Sequence, residues 1–312
     1  MSTPQSAFRI RSAVLCSGFV VILVLAGSAA DFLAAQSRVP TPDGRPSSAA
    51  KGVANPTAFS AAIASNKIAS NELKWSFGGK AQQGWAIYIP LIVETVRAGK
   101  GAESAEFAEA VARWQGNRGL RVTGVLDIDT WSAMIREFQS HRIKDSITPP
   151  SENLIVAPAS EFYDPERPPE LRQVEKNTYA AYKRMLAEAA KDRSLGLSVT
   201  TSGELAPAEK YLKIVSAYRS REHQDRLRQA EPQAGSAGLA VNSPHFTGRA
   251  LDLYVGGEPV STADGNRLFQ TRTAVYAWLV KNAGRFGFRP YFYEPWHWEY
   301  VTGATIPPVR KE

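Results

Sequence analysis

Glu294-Pro295-Trp296-His297-Trp298-Glu299 packs two carboxylates, a histidine and two tryptophans into six residues. An imidazole beside carboxylates and aromatic rings suits a partly desolvated site that holds a metal or moves a proton. Taken alone, the same stretch fits a buried aromatic strand with a hydrogen-bonded histidine equally well. The remaining titratable residues separate the two readings.

The chain of 312 residues contains four histidines, His141, His223, His245 and His297, and a single cysteine, Cys16, in an N-terminal apolar stretch. The remainder therefore has no cysteine nucleophile, thiolate metal site or internal disulfide. A metal would need histidine and carboxylate ligands. His245 follows a Gly/Ser loop over residues 234–243 and Pro244, at the edge of an expected strand over residues 249–255. Asp252 lies inside that strand, and the small Gly248 and Ala250 leave room around it. His297 would join from a neighbouring strand. Two neutral imidazoles, one carboxylate and an open position compose a catalytic Zn²⁺ site. Such a metal polarises a carbonyl and lowers the pKa of a water to about 7, but a base must still take the water's proton. Glu294, three residues before His297 in a proline-containing turn, can stand by the open position. Glu299 lies two residues beyond His297 and, on a strand, faces the same way. It is either the rival base or a partner that orients a ligand histidine.

Outward from the motif, residues 289–301 read as a closing strand and residues 274–286 as an amphipathic helix. Residues 171–191 form an expected helix with Val174, Tyr179, Tyr182 and Leu186 along one side. Residues 194–210 read as a turn-rich insertion, 211–216 as a strand, and 221–229 as a short polar helix. The expected result over residues 171–303 is an α+β domain, with a tail over 304–312. Residues 141–170 carry Pro149, Pro150, Pro158, Pro165, Pro168 and Pro169, and read as a linker or as an extended arm lying on the next domain. Before it, residues 72–140 form a small all-α unit. Its expected helices cover 85–96 (with Pro90 as an irregularity), 104–117, and 128–138 capped by Asp127. Phe107, Ala108, Val111 and Trp114 repeat at helical spacing on the second, and Trp131, Met134 and Ile135 on the third. Residues 31–71, with Pro40, Pro42, Pro46 and Pro56, read as linker. Residues 1–30 combine Arg9, Arg11 and an apolar run over 13–30, which is the pattern of an export signal or of an uncleaved membrane tether. Net charge is +7, falling to +5 without Arg9 and Arg11. That excess favours an anionic partner. No basic stripe with interleaved aromatics points to nucleic acid.

Three stretches carry a family resemblance. Ser243-Pro-His245-Phe-Thr-Gly248-Arg-Ala250-Leu-Asp252 matches the Ser-x-His-x-x-Gly-x-Ala-x-Asp signature of VanY-type zinc D-alanyl-D-alanine carboxypeptidases, in the wider group of LAS metallopeptidases. Glu294-Pro-Trp296-His297 matches their Glu-x-Trp-His signature, and Ser216-Ala-Tyr218-Arg219-Ser220 with Gln224 matches their Tyr-Arg-Ser-x-x-x-Gln stretch. The resemblance implies a small antiparallel sheet with flanking helices, of the hedgehog-like kind. It implies His245, Asp252 and His297 as ligands of one Zn²⁺. It implies Glu294 as the base that activates water and then protonates the leaving amine, and Arg219 as the group that holds the substrate carbonyl or carboxylate. Ser243, Gln224, Tyr218 and Trp296 would contact the peptide. Separately, Phe107-Ala-Glu-Ala-Val-Ala-Arg-Trp114-Gln115 and Gly119-Leu120-Arg-Val-Thr-Gly124-Val-Leu-Asp127-Ile-Asp-Thr130-Trp131 resemble the three-helix peptidoglycan-binding domain.

Together these imply an exported enzyme of the periplasm or cell envelope that acts on peptidoglycan stem peptides ending in D-Ala-D-Ala. The helical unit would act as a tether to the sacculus, separable from hydrolysis of a soluble peptide. The signatures leave the bond open to a D,D-dipeptidase or an endopeptidase, with the 194–210 insertion helping to shape the pocket. A non-catalytic wall-binding protein is the remaining class.

Overall fold

Residues 59–230 and 242–301 are described in the computed structural model. The export segment, the proline-rich linker up to residue 58, most of the 234–243 loop and the tail lie outside them. Among the described residues no helix is long and apolar enough to cross a membrane.

The linker expected over 31–71 ends early, because Ser60–Glu72 form a helix, α1. Its buried face is Ala62, Asn66 and Ser70, so no apolar stripe announces it. Asn66 anchors it instead, donating to Gly124 O at 2.9 Å and accepting from Leu126 N–H at 2.8 Å. A hairpin follows, β1 (Lys74–Phe77) and β2 (Lys80–Gln83). Gly78 and Gly79 at its tip have φ of +58° and +76°, the pair of left-handed residues that a tight two-residue hairpin turn requires.

The first expected helix begins later than its pattern suggests. A 3₁₀ turn covers Ala86–Tyr88, and α2 runs Ile89–Val96. Pro90 sits in the first turn of α2, where its missing N–H costs nothing. In α3 (Ala105–Asn117) the Ser104 hydroxyl caps the Phe107 N–H, and in α4 (Ile128–Ser140) Asp127 caps the Thr130 N–H. The loop between α3 and α4 is held by buried Gln115. Its amide donates to Val125 O and Thr130 Oγ1 at 2.9 and 2.8 Å, and its oxygen accepts from the Thr123 and Gly124 N–H groups, both at 2.9 Å.

The proline-rich stretch after α4 is an arm laid on the next domain. Its β3 (Leu154–Val156) pairs antiparallel with β4 (Gln173–Glu175), and Phe162 bridges to Ile214. The strand β4 takes the residues with which the expected 171–191 helix would begin. Glu175 then caps the shorter α5 (Lys176–Ala189) through the Asn177 and Thr178 N–H groups. Strand β5 is limited to Ile214–Ser216 because Leu212 is left-handed, φ +66°. After it come α6 (Arg221–Ala230), β6 (Ala250–Leu253), α7 (Asp264–Gln270) and α8 (Ala274–Asn282). The expected closing strand is a hairpin, β7 (Phe288–Tyr291) and β8 (Glu294–Tyr300). These strands form one antiparallel sheet in the order β5-β6-β8-β7. The class is α+β with small antiparallel sheets, preceded by a helical unit.

The two units share a core. Phe292, in the turn between β7 and β8, lies 4.5 Å from the Tyr88 ring, 6.0 Å from Phe138, 6.2 Å from Trp131 and 6.5 Å from Trp75. The Tyr88 and Tyr276 hydroxyls meet at 3.2 Å. Aromatic pairs at such separations add about 0.5–1.5 kcal/mol each beyond the area they bury. The helical unit is therefore docked on the sheet, and of the two readings of residues 141–170 the arm lying on the next domain is the one the structure shows.

Replacing Gln115 with Ala strands several buried groups of the α3–α4 loop, each costing about 1–3 kcal/mol. The expected loss is roughly 2–4 kcal/mol in urea unfolding, and a loss below about 1 kcal/mol would show that the loop is held by packing alone.

Candidate active site

Asp252 and His297 are direct partners across β6 and β8, and Asp252 also faces Ser216 on β5. Side chains opposite one another on antiparallel strands project to the same face, so the pairing alone brings the carboxylate to the imidazole. His297 Nδ1 lies 2.9 Å from Asp252 Oδ1. His245 arrives from outside the sheet, on a 3₁₀ turn over Pro244–Thr247 that Ser243 caps by accepting from its N–H. Its Nε2 lies 3.3 Å from the same Asp252 oxygen. One ligand atom from each of His245, Asp252 and His297 lies within 4.8 Å of the other two, and all three residues are buried.

The tautomers suit a metal. His245 Nδ1 lies 2.6 Å from Ala217 O, a pure acceptor, so that nitrogen carries hydrogen and Nε2 keeps its lone pair. His297 Nε2 lies 3.1 Å from Glu299 Oε1, which directs its Nδ1 toward Asp252. Each imidazole thus has its outward nitrogen fixed by a protein acceptor, the arrangement that aims a ligand histidine.

The charges follow from the same contacts. Burial, with Arg219 nearby, pushes His245 down to about 4, so it is neutral at pH 7. Burial opposes charge on His297, but hydrogen bonds to Asp252 and Glu299 overcome it and raise the imidazole to about 9. Burial likewise opposes charge on Asp252 and Glu299, and their histidine partners prevail. Asp252 falls well below the usual carboxylate range, and Glu299, aided by Arg142, falls to about 2. His297, cationic at pH 7, is then the positive charge between the two buried carboxylates, and a metal on its Nδ1 would have to displace that proton.

Glu294 opens β8 on the donor side, its Oε2 4.0 Å from His297 Nδ1. Burial raises it to about 7, with Asp252 adding to the rise and His297, Arg219 and Arg142 opposing it. Glu299 lies on the far side of the ring, wholly buried, and receives Arg142 and the Ile143 N–H, the latter at 2.7 Å. The geometry therefore separates the two carboxylates of the motif. Glu294 lies on the Nδ1 side of His297, with Asp252, while Glu299 grips the ring from its Nε2 side.

Arg219 is held on three sides, donating to Ser216 Oγ at 3.2 Å, Gln224 Oε1 at 3.1 Å and Asp252 Oδ2 at 3.2 Å. Three expected peptide contacts have partners within the fold. Gln224 is 1% exposed and orients Arg219. The Ser243 hydroxyl is used on its cap. Trp296 is 2% exposed and belongs to the core. Tyr218 is half-buried beside Arg219. The 194–210 insertion lies against α5, lining a cavity with Glu161, Tyr182, Lys183 and Lys213 and none of the residues above.

Arg142 and Arg267 had no signal in the sequence. Arg267, fully buried, donates to Tyr293 O at 2.6 Å and Phe292 O at 3.2 Å, and with the Gln82 amide turned so that its oxygen faces the guanidinium, that oxygen accepts at 2.6 Å. It pins the turn that leads into Glu294. Nothing in local spacing links residues 82, 142 and 267 to residue 297.

Residues 171–303 match the VanY family model, described as D-alanyl-D-alanine carboxypeptidase, and residues 97–134 match PG_binding_1, described as "Putative peptidoglycan binding domain". No curated protein matches the chain.

Gly248 ends the His245 turn at φ +67°, and a Cβ there would lie 3.1 Å from Glu175 N and Cβ. Gly248→Ala is expected to cost at least about 1–2 kcal/mol from its left-handed backbone alone. A thermal midpoint equal to wild type would show that the turn relaxes freely.

Proposed function

With residues 171–303 a VanY-family domain behind a peptidoglycan-binding domain, we propose that this cell-wall peptidase is an exported zinc D,D-carboxypeptidase that removes the terminal D-alanine of stem peptides. The observation that carries the reading is the buried His245–Asp252–His297 group with Glu294 at its edge. His245 Nε2, Asp252 Oδ1 and His297 Nδ1 would hold Zn²⁺. When bound there, Zn²⁺ supplies Lewis acidity, polarising a carbonyl and acidifying a water.

The protein's own residues do the rest. Glu294, partly buried at the edge of the group, takes the proton of the attacking water as the water's oxygen bonds to the scissile carbonyl carbon. As the carbon–nitrogen bond breaks, Glu294 returns that proton to the departing amine. Arg219, prevented from swinging by Ser216, Gln224 and Asp252, counters negative charge on the carbonyl oxygen with donors already in position. Tyr218, half-exposed beside it, remains a peptide contact in this reading. Export agrees with the wall polymer as substrate, and residues 13–30 would serve as signal or tether.

Chelation by EDTA should abolish hydrolysis of a pentapeptide ending in D-Ala-D-Ala, and added Zn²⁺ should restore it; full activity in EDTA would remove the metal from the mechanism. Mass spectrometry of digested muropeptides should show loss of a single alanine. Loss of a dipeptide, or opening of a cross-link, would replace the carboxypeptidase by a dipeptidase or an endopeptidase. Glu294→Gln should still bind one equivalent of Zn²⁺ while turnover falls about 10²- to 10⁴-fold. If Glu299→Gln is instead the variant that keeps zinc and loses turnover, the base is Glu299.

A further inference from the structure

We propose that Arg142, carried just beyond α4 and outside both matched segments, is a positioning residue for the metal centre and fixes His297 through Glu299. The proposal rests on the zinc reading above.

Glu299 is 0% exposed, and a carboxylate in such a place needs its lone pairs occupied. His297 Nε2 takes one position on Oε1 at 3.1 Å, the Ile143 N–H takes Oε2 at 2.7 Å, and Arg142 Nη2 donates to Oε1. Two of the three partners therefore come from the segment that follows α4. Arg142 is itself confined. Its guanidinium lies 3.6 Å over the Tyr291 ring, and the Tyr291 ring in turn meets the His297 ring at 5.8 Å. Gln139, one turn earlier, donates to Pro290 O at 3.2 Å, tying the end of α4 to β7. The segment that bears Arg142 is thus seated on the hairpin that bears His297.

Rotation of His297 would carry its Nδ1 away from Asp252. The Glu299 carboxylate opposes that rotation only while it is itself held, and Arg142 with the Ile143 N–H holds it. Partners of this kind change metal affinity about 10- to 100-fold when removed. An ordinary surface ion pair would leave zinc binding untouched.

The test uses the full chain. Arg142→Met keeps an unbranched apolar side chain and removes the guanidinium. Competition with a chromophoric chelator gives the Zn²⁺ dissociation constant, and circular dichroism gives the fold. A folded Arg142→Met is expected to bind Zn²⁺ about 10- to 100-fold more weakly, and Arg142→Lys, which keeps the cation without the fork of donors, to lie between it and wild type. In a Glu299→Gln background the effect of Arg142→Met should largely vanish, because the two residues act in series. Zinc binding within twofold of wild type in both Arg142 variants overturns the proposal, as does full additivity with Glu299→Gln. If Arg142→Met does not fold, Arg142→Lys carries the same comparison. A wild-type chain that takes up no Zn²⁺ overturns the metal reading, and the proposal with it.

Discussion

Two carboxylates, Asp252 and Glu299, are buried on either side of one imidazole, and the surrounding structure is arranged to make that tolerable. An uncompensated buried charge costs several kcal/mol. Asp252 is met by His245, His297 and Arg219, and Glu299 by His297, Arg142 and the Ile143 N–H. Each partner needs its own piece of backbone. The pairing of β6 with β8 brings Asp252 to His297, a capped 3₁₀ turn brings His245, and the end of α4 brings Arg142. A sheet of four short strands can support such a centre because its polar groups satisfy one another.

The same hairpin that carries Glu294 and His297 also ties the two halves of the molecule together. Phe292 is inserted among Trp75, Tyr88, Trp131 and Phe138, while Arg267 and Gln82 hold the carbonyl groups of its turn. Folding of the N-terminal unit and alignment of Glu294 are thereby linked. A wall-binding surface on that unit would be presented in a fixed direction relative to the active site. A unit on a flexible linker would only raise local concentration.

Three signature residues have partners in the fold that their signatures do not show. Gln224, Ser243 and Trp296 stand in family signatures, and a signature does not distinguish a residue that touches substrate from one that holds a neighbour in place. Gln224 aims Arg219, Ser243 caps the turn of His245, and Trp296 fills the core. The linker boundary is a different case. The buried face of α1 is Ala62, Asn66 and Ser70, so its anchor is a polar side chain satisfied by a loop some sixty positions away. Hydrophobic periodicity cannot register such an anchor.

The sequence by itself determined which side chains a metal centre could use. With four histidines and no cysteine outside the N-terminal stretch, a metal could be held only by imidazole and carboxylate, and alternation along β8 put Glu299 on the same face as His297. It also determined the α+β class and the Asp127 cap of α4, because these depend on residues a few positions apart. Only the tertiary structure decided which glutamate lies beside His297 Nδ1 and which behind it, and that the helical unit is docked. Only there do Arg142 and Arg267 become parts of the site. The physical reason is range: hydrogen bonds and ring contacts between residues 82, 142, 267 and 292–299 depend on packing distances, which no local spacing in the chain encodes.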